Sequence, residues 1–189
     1  MPNFVGIEVA VEVLNAAQRV MVVGCPGGGK STLSQALSAH FGLRYISMDK
    51  EFFWLPGWVA RPRAEQRALI TEAVAGERWI MDGSNPTSFD LRVPRSDLVI
   101  WARMRRLLSL WGVLTRVAKT YGRTRPDMAS GCPEQLPDRA FLRYIWNFES
   151  VHGPVFVRNI DLHGPDVPVV VLNSRAEMRC MLDLAGVRA

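Results

Sequence analysis

The sequence predicts one three-layer α/β/α domain of 189 residues built on a parallel sheet. Three observations lead there. Short apolar runs rich in valine and isoleucine alternate with stretches of helical periodicity. The string Gly24-Cys25-Pro26-Gly27-Gly28-Gly29-Lys30-Ser31 stands between the first strong run and the first strong helix. Acids close the next two runs, at Asp49 and Asp82, on the side where parallel sheets open their ligand crevices.

The string reads G-x-x-x-x-G-K-S, the phosphate-binding loop, or P-loop. Residues 19–23 before it suit a buried parallel strand. Residues 31–41 after it place Leu33, Ala36 and Leu37 at helical spacing. Gly24, Gly27, Gly28 and Gly29 let successive amides turn toward one anion. The helix start behind them, with Thr32 in its first turn, adds partial positive charge. Lys30 is placed to reach the β- and γ-phosphates of ATP, and Ser31 to hold Mg2+. A chance match in a glycine-rich turn is the bland alternative, and the strand–loop–helix setting weighs against it.

Composition narrows the function classes. No stretch approaches the roughly 20 apolar residues of a membrane helix, and no basic residue precedes Arg19 while Glu8 and Glu12 do, which argues against a signal peptide. Cys25, Cys132 and Cys180 are odd in number and far apart. They suit reduced thiols in a cytoplasmic protein. The net charge of +5 rests on arginine, since Lys30, Lys50 and Lys119 are the only lysines. Arginine suits phosphate recognition, although a G- and C-rich genome would also supply it.

Along the chain, residues 4–17 read as an amphipathic helix with a polar stripe at Glu8, Glu12, Asn15 and Arg19, an extension before the P-loop strand, although the alternation over residues 7–13 would also suit a strand. Residues 43–48 form a second strand ending at Asp49. This acid is placed to act as general base for an acceptor hydroxyl, or to bind the second substrate or a magnesium-bound water; a helix cap is the alternative. An aromatic stretch, Phe52-Phe53-Trp54, precedes the Pro56-Gly57 turn. Trp54 either stacks on a flat substrate or packs under a small lid. A helix from Pro62 to about residue 75 completes a substrate-side region of about 50–76.

Residues 78–83 form a third strand, and its Asp82 is placed to face the substrates and orient the magnesium shell; a cap or turn residue is the alternative. Arg92 follows on the ligand side, where it could grip a substrate phosphate or simply be solvated. Residues 97–102 form a fourth strand and 103–121 a helix. No acid occurs between Asp97 and Asp127, an interval holding Arg103, Arg105, Arg106, Arg116, Lys119, Arg123 and Arg125. A basic flap hinged at Gly122 reads as a lid over about 116–137, whose arginines neutralise a transferring phosphoryl group. Asp138 caps a long helix, with Gly153-Pro154 as a break or kink. A fifth strand at 167–172 and a closing helix capped by Ser174 complete the chain.

These motifs resemble the adenylate-kinase-like branch of P-loop nucleotide kinases. More narrowly, the chain is similar to the bacterial kinases known as DNA topology modulation protein-related, the FlaR-like branch. Met48-Asp49 with Phe53-Trp54, Trp79-Ile80-Met81-Asp82-Gly83, Arg123-Thr124-Arg125-Pro126-Asp127-Met128, Gly131-Cys132-Pro133-Glu134 and Tyr144-Ile145-Trp146-Asn147-Phe148 carry the likeness, over roughly residues 19–175. The resemblance implies ATP binding, a P-loop NTPase fold and a five-stranded sheet in the order 2-3-1-4-5. It implies phosphate roles for Lys30 and Ser31, an acceptor role for Arg92, and lid roles for Arg116, Arg123 and Arg125. Asp82 is followed by Gly83-Ser84-Asn85 rather than the Gly-Phe-Pro-Arg of adenylate kinases, which counts against AMP as acceptor.

The leading expectation is therefore a kinase using ATP and Mg2+ with a small-molecule acceptor. An ATP-dependent switch that binds a protein or DNA partner, and an NTP hydrolase, are the alternatives. No helix-turn-helix or zinc pattern supports direct DNA reading. Whether the acceptor group is a hydroxyl or a phosphate stays open, because the sequence offers both a carboxylate base and arginines.

Overall fold

Side chains along each central strand alternate between two separate cores, which fixes the layers. The computed structural model describes residues 1–187. The first half runs β1 (Asn3–Val5), α1 (Ile7–Ala16), β2 (Arg19–Gly24), α2 (Lys30–Phe41), β3 (Arg44–Ser47) and a π-helical turn at Asp49–Phe53. A small hairpin follows, β4 (Trp54–Leu55) and β5 (Val59–Ala60), then α3 (Arg63–Val74) and β6 (Trp79–Asp82). The second half holds α4 (Phe89–Arg92), β7 (Leu98–Ala102), α5 (Arg106–Thr120), α6 (Arg139–His163), β8 (Pro168–Leu172) and α7 (Arg175–Leu184).

The main sheet is parallel throughout, in the order β1-β8-β7-β2-β6-β3. Its five inner and right-hand members keep the expected 2-3-1-4-5 order. The sheet has six strands rather than five, because β1 adds at the edge with Phe4 opposite Val169. Three residues are too short to show an alternating pattern, so the sequence folds them into the helix expected over 4–17. That helix starts only at Ile7, after an extended Gly6. The N-terminal segment is thus part of the sheet and of one helical layer.

Met21, Val23, Met81, Val99 and Trp101 point into the core covered by α3, α5 and α6. Val20, Val22, Ile80, Ile100 and Leu172 point into the core covered by α1, α2 and α7. This period-two division is that of a strand buried on both faces.

Helix α6 runs unbroken through Gly153-Pro154 for 25 residues. A proline in a helix interior costs about 3 kcal/mol. Continuity keeps Ile145, Phe148, Phe156 and Ile160 buried on one face, each worth about 1.5–3 kcal/mol. Burial therefore outweighs the break. The two helix caps are made as the sequence implies: Asp138 accepts from the Phe141 amide at 2.7 Å, and Ser174 from the Glu177 amide at 3.1 Å. Among the described residues, no helix is long and apolar enough to cross a membrane.

Candidate active site

Strand β2 ends at Gly24 and α2 begins at Lys30, so the P-loop spans the carboxyl edge of the sheet at its centre. Gly29 precedes α2 without a side-chain cap, which leaves the first-turn amides around Lys30, Ser31 and Thr32 facing outward for an anion. Thr32 is exposed there. The Gly28 amide donates to the Cys25 carbonyl at 3.2 Å and closes the curl. Lys30 Nζ donates to the same carbonyl at 3.0 Å.

Two contacts hold this loop from outside. Ser84 Oγ accepts from the Gly24 amide at 2.8 Å and donates to its carbonyl at 2.7 Å. On the other side α5 presses against the loop backbone. A Cβ on Gly112 would lie 2.1 Å from the Gly27 carbonyl oxygen, and one on Gly27 2.1 Å from that of Ser109. Gly112 is there because helix and loop backbones touch.

Ser31 Oγ donates to Asp82 Oδ2 at 2.6 Å, and the Tyr45 hydroxyl donates to the same oxygen at 3.2 Å. Asp82 Oδ1 is buried with no partner among the described residues. Burial raises the Asp82 pKa, while the Lys30 charge and the Ser31 and Tyr45 bonds oppose the rise. A hydroxyl beside a carboxylate with one unused buried oxygen fits a hydrated Mg2+ ion. Ser31 and Asp82 would hold it, at a point where oxygen donors and a phosphate converge.

Asp49 opens the turn after β3, exposed to solvent along the cleft yet crowded by protein on its other sides. That crowding and the Asp82 charge raise its pKa, against the lowering pull of Lys30 and Arg125. The site therefore brings Lys30, Ser31, Asp49, Asp82 and Arg125 together. Trp54 lies to one side. It is half-buried, edge-on to Trp58 at 5.3 Å, and packed on Met128, Ala129 and Cys132 of the lid. The buried part of Trp54 makes the contacts of the packing alternative, and the rest of the side chain is open to solvent.

Arg92 requires a correction. It is fully buried, neither solvated nor open to the cleft. Its guanidinium donates to the Gly83 carbonyl at 2.8 Å, the Asn85 carbonyl at 3.1 Å and Ser88 Oγ at 3.0 Å. Burial lowers its pKa to about 9, against the pull of Asp82, and it stays charged at neutral pH. The physical reason is the turn after Asp82: its carbonyls point inward and need a donor. Arg92 supplies three bonds and supports the loop that carries Asp82 and Ser84.

The arginines of residues 116–137, the segment expected to be a lid, divide. Arg116 pairs with Glu134 at 2.8 Å, and Arg125 pairs with Glu134 and with Asp127, each at 2.8 Å. Glu134 is buried. Its backbone also closes the lid neck, accepting from the Gly122 amide and donating to the Arg123 carbonyl, both at 2.9 Å. The Arg123 side chain is exposed. Residues 126–127 are docked across the end of β3: Ser47 Oγ donates to the Asp127 carbonyl and Lys50 Nζ to the Pro126 carbonyl, both at 2.7 Å. Exchanging Arg123 and Arg125 together for alanine is expected to lower kcat on the order of 10²-fold, with a much smaller rise in the KM for ATP. Steady-state kinetics of the double variant check this; a change confined to KM would remove the lid from the chemical step.

Sequence reasoning gave no role to Ser84, Tyr45 or Glu134. Glu134 carried a signal, since it and Asp127 are the first acids after a long acid-free interval. Ser84 carried only its place two residues after a strand-end acid.

No protein-family model matches the chain, and no curated protein sequence matches it either. Solved structures do. Shikimate kinase from Bacteroides thetaiotaomicron superposes with a TM-score of 0.54 at 14% identity, over 89% of this chain and 95% of that one. Shikimate kinase from Acinetobacter baumannii, in complex with shikimate, gives 0.52 at 12% identity, over 92% and 94%. Deoxyadenosine kinase from M. mycoides with bound dATP gives 0.49 at 15% identity, over 88% and 97%. At such identities the likeness is one of fold, a P-loop kinase fold spanning nearly the whole chain.

Proposed function

We propose that this protein is a kinase that transfers the γ-phosphoryl group of MgATP to a small acceptor, in the DNA topology modulation protein-related branch of adenylate-kinase-like P-loop enzymes. The observation that supports it most is the joined P-loop and strand-end acid: Ser31 bonded to Asp82, with Lys30 beside them. The uncapped start of α2 and Lys30 take the triphosphate. Magnesium, when bound, neutralises charge on the phosphate oxygens. Arg123 and Arg125 lie on the lid that excludes water, and Asp49 faces the acceptor.

The switch and hydrolase readings have less support. Two members of the basic interval are held within the fold, Arg116 by Glu134 and Arg125 by Glu134 and Asp127. That leaves less of it as a surface for DNA or protein. Three free cysteines, two of them buried, suit the reducing cytoplasm.

The test is ADP formation with Mg2+ across nucleosides, nucleoside monophosphates and small hydroxylated metabolites. An acceptor-dependent rate supports the proposal; ATP binding without one favours the switch. Asp49→Asn is expected to lower kcat by about 10²–10⁴-fold if Asp49 is the base. A base must be ionised, and the Asp49 pKa is raised above 3.8. Rate is therefore lost on acidification at a higher pH than an ordinary carboxylate would give, and Asp49→Asn removes that acid limb from the pH–rate profile.

A further inference from the structure

The outward face of α5 is apolar, where a helix packed on a domain is ordinarily polar. Ser109, Val113 and Val117 turn into the domain. Leu107, Trp111 and Leu114 turn away from it and are 68%, 60% and 49% exposed. Ala118 is exposed too and continues the line, as does Tyr121 at the end of the helix, 61% exposed. The spacing of 4, 3, 4 and 3 residues is that of a coiled-coil seam. Over 14 residues it runs about 21 Å at 1.5 Å per residue. Apolar residues exposed singly need no explanation, but a contiguous stripe of them marks a contact surface.

Charge decides what kind of partner fits. Arg105 and Arg106 precede the stripe, and Lys119 lies at its far end, with Arg123 just beyond. All four are exposed, and none is in an ion pair among the described residues. The Arg106 guanidinium lies 4.7 Å over the Trp146 ring, itself exposed. A cation and a further aromatic side chain therefore sit together at the amino end of the stripe. On α6, which packs against α5, Arg139 and Arg143 are also exposed and unpaired. Helix α5 has no acid. The acids of the segments that follow are already engaged: Asp127 and Glu134 by arginines, Asp138 by the Phe141 amide, and Glu149 by Arg103.

We infer that the outer face of α5 docks an amphipathic helix of a partner protein, one with apolar residues along its seam and acidic residues toward its ends. The seam spacing is matched by another helix, and complementary charge steers and aligns it. A second copy of this chain would set the same cations against one another, and α5 has no acid to answer them. A helix lying on a lipid surface carries Lys and Arg along a free polar face. Here the side away from the stripe is buried in the domain, and the cations gather at the ends. The docking face lies outside the phosphate site and is independent of the acceptor.

The probe is a synthetic amphipathic helix of about three heptads, with leucine along the seam and glutamate toward both ends. A second peptide has lysine in place of each glutamate. Binding of each to the full chain is followed by fluorescence anisotropy of a dye on the peptide. The glutamate peptide is expected to bind at least about 10-fold more tightly than the lysine peptide, and to weaken as salt is raised. Trp111→Ala, and Leu107→Ser with Leu114→Ser, are each expected to weaken its binding at least about 10-fold. Both variants should keep the wild-type circular dichroism and melting temperature, because these side chains lie on the outer face. They leave the charge unchanged, so they separate docking from general attraction to a basic protein. Equal binding of the two peptides, binding of neither, or binding that survives both variants would overturn the inference. Self-association in sedimentation velocity that Trp111→Ala abolishes would also overturn it, and would give the face to a second copy. Co-sedimentation with phosphatidylcholine–phosphatidylserine vesicles, lost in the same variant, would overturn it in favour of lipid.

Discussion

Lys30→Ala is expected to abolish ATP turnover, by on the order of 10³-fold or more, and to leave the fold in place. Lys30 is the one lysine of the P-loop, and it lies beside the Ser31–Asp82 pair. Alanine removes the positive charge where negative charge gathers on the phosphates, and no neighbour replaces it. Arg125 is tied to Glu134 and Asp127, and Arg116 to Glu134. The structural cost is small. Lys30 makes one hydrogen bond, to the Cys25 carbonyl, and a single such bond is worth about 0.5–1.5 kcal/mol. In a domain of this size that moves the melting temperature by only a few degrees. Turnover and thermal melting, measured on the same preparation, check both halves. Unchanged turnover would refute the phosphate-site assignment.

Gly112→Ala is expected to be nearly as damaging, although Gly112 touches no substrate. Its added methyl would sit 2.1 Å from the Gly27 carbonyl oxygen and 2.9 Å from the Gly27 carbonyl carbon. Both are backbone atoms, so helix and loop must part by on the order of 1 Å, and a misplacement of that size costs roughly 10²-fold in rate. Alanine is otherwise the better helix residue, by up to about 1 kcal/mol. The variant therefore separates a loss of activity from a loss of helix. Circular dichroism should keep the helical signal while ATP affinity and kcat fall. Gly42→Ala is the control. Its Cβ would meet nothing within 4 Å, but φ is +64°. It should lose about 1 kcal/mol of stability to backbone strain and keep its turnover. If Gly112→Ala binds ATP like wild type, the helix does not brace the loop.

The P-loop and the layers were legible because their signals are local. Gly24 to Ser31 is one contiguous string, and a strand buried on both faces announces itself in a handful of residues such as Arg19-Val20-Met21-Val22-Val23. The order of the five expected strands followed from the resemblance, and the three-residue β1 and the two-residue β4 and β5 escaped, being shorter than any periodicity. Pro154 does not break α6, because a local rule met a larger tertiary term, the burial of the α6 apolar face.

The sequence by itself determined that this chain has an α/β fold with a G-x-x-x-x-G-K-S string after its central strand and acids at the next two strand ends. Tertiary structure alone decided what holds each arginine. Arg92 is spent on the carbonyls of its own loop, and Arg116 and Arg125 share one buried carboxylate, Glu134. The sequence names every cation, but a cation's availability depends on the acceptor that reaches it. Those acceptors come from turns and distant elements that only the folded chain brings within about 3 Å.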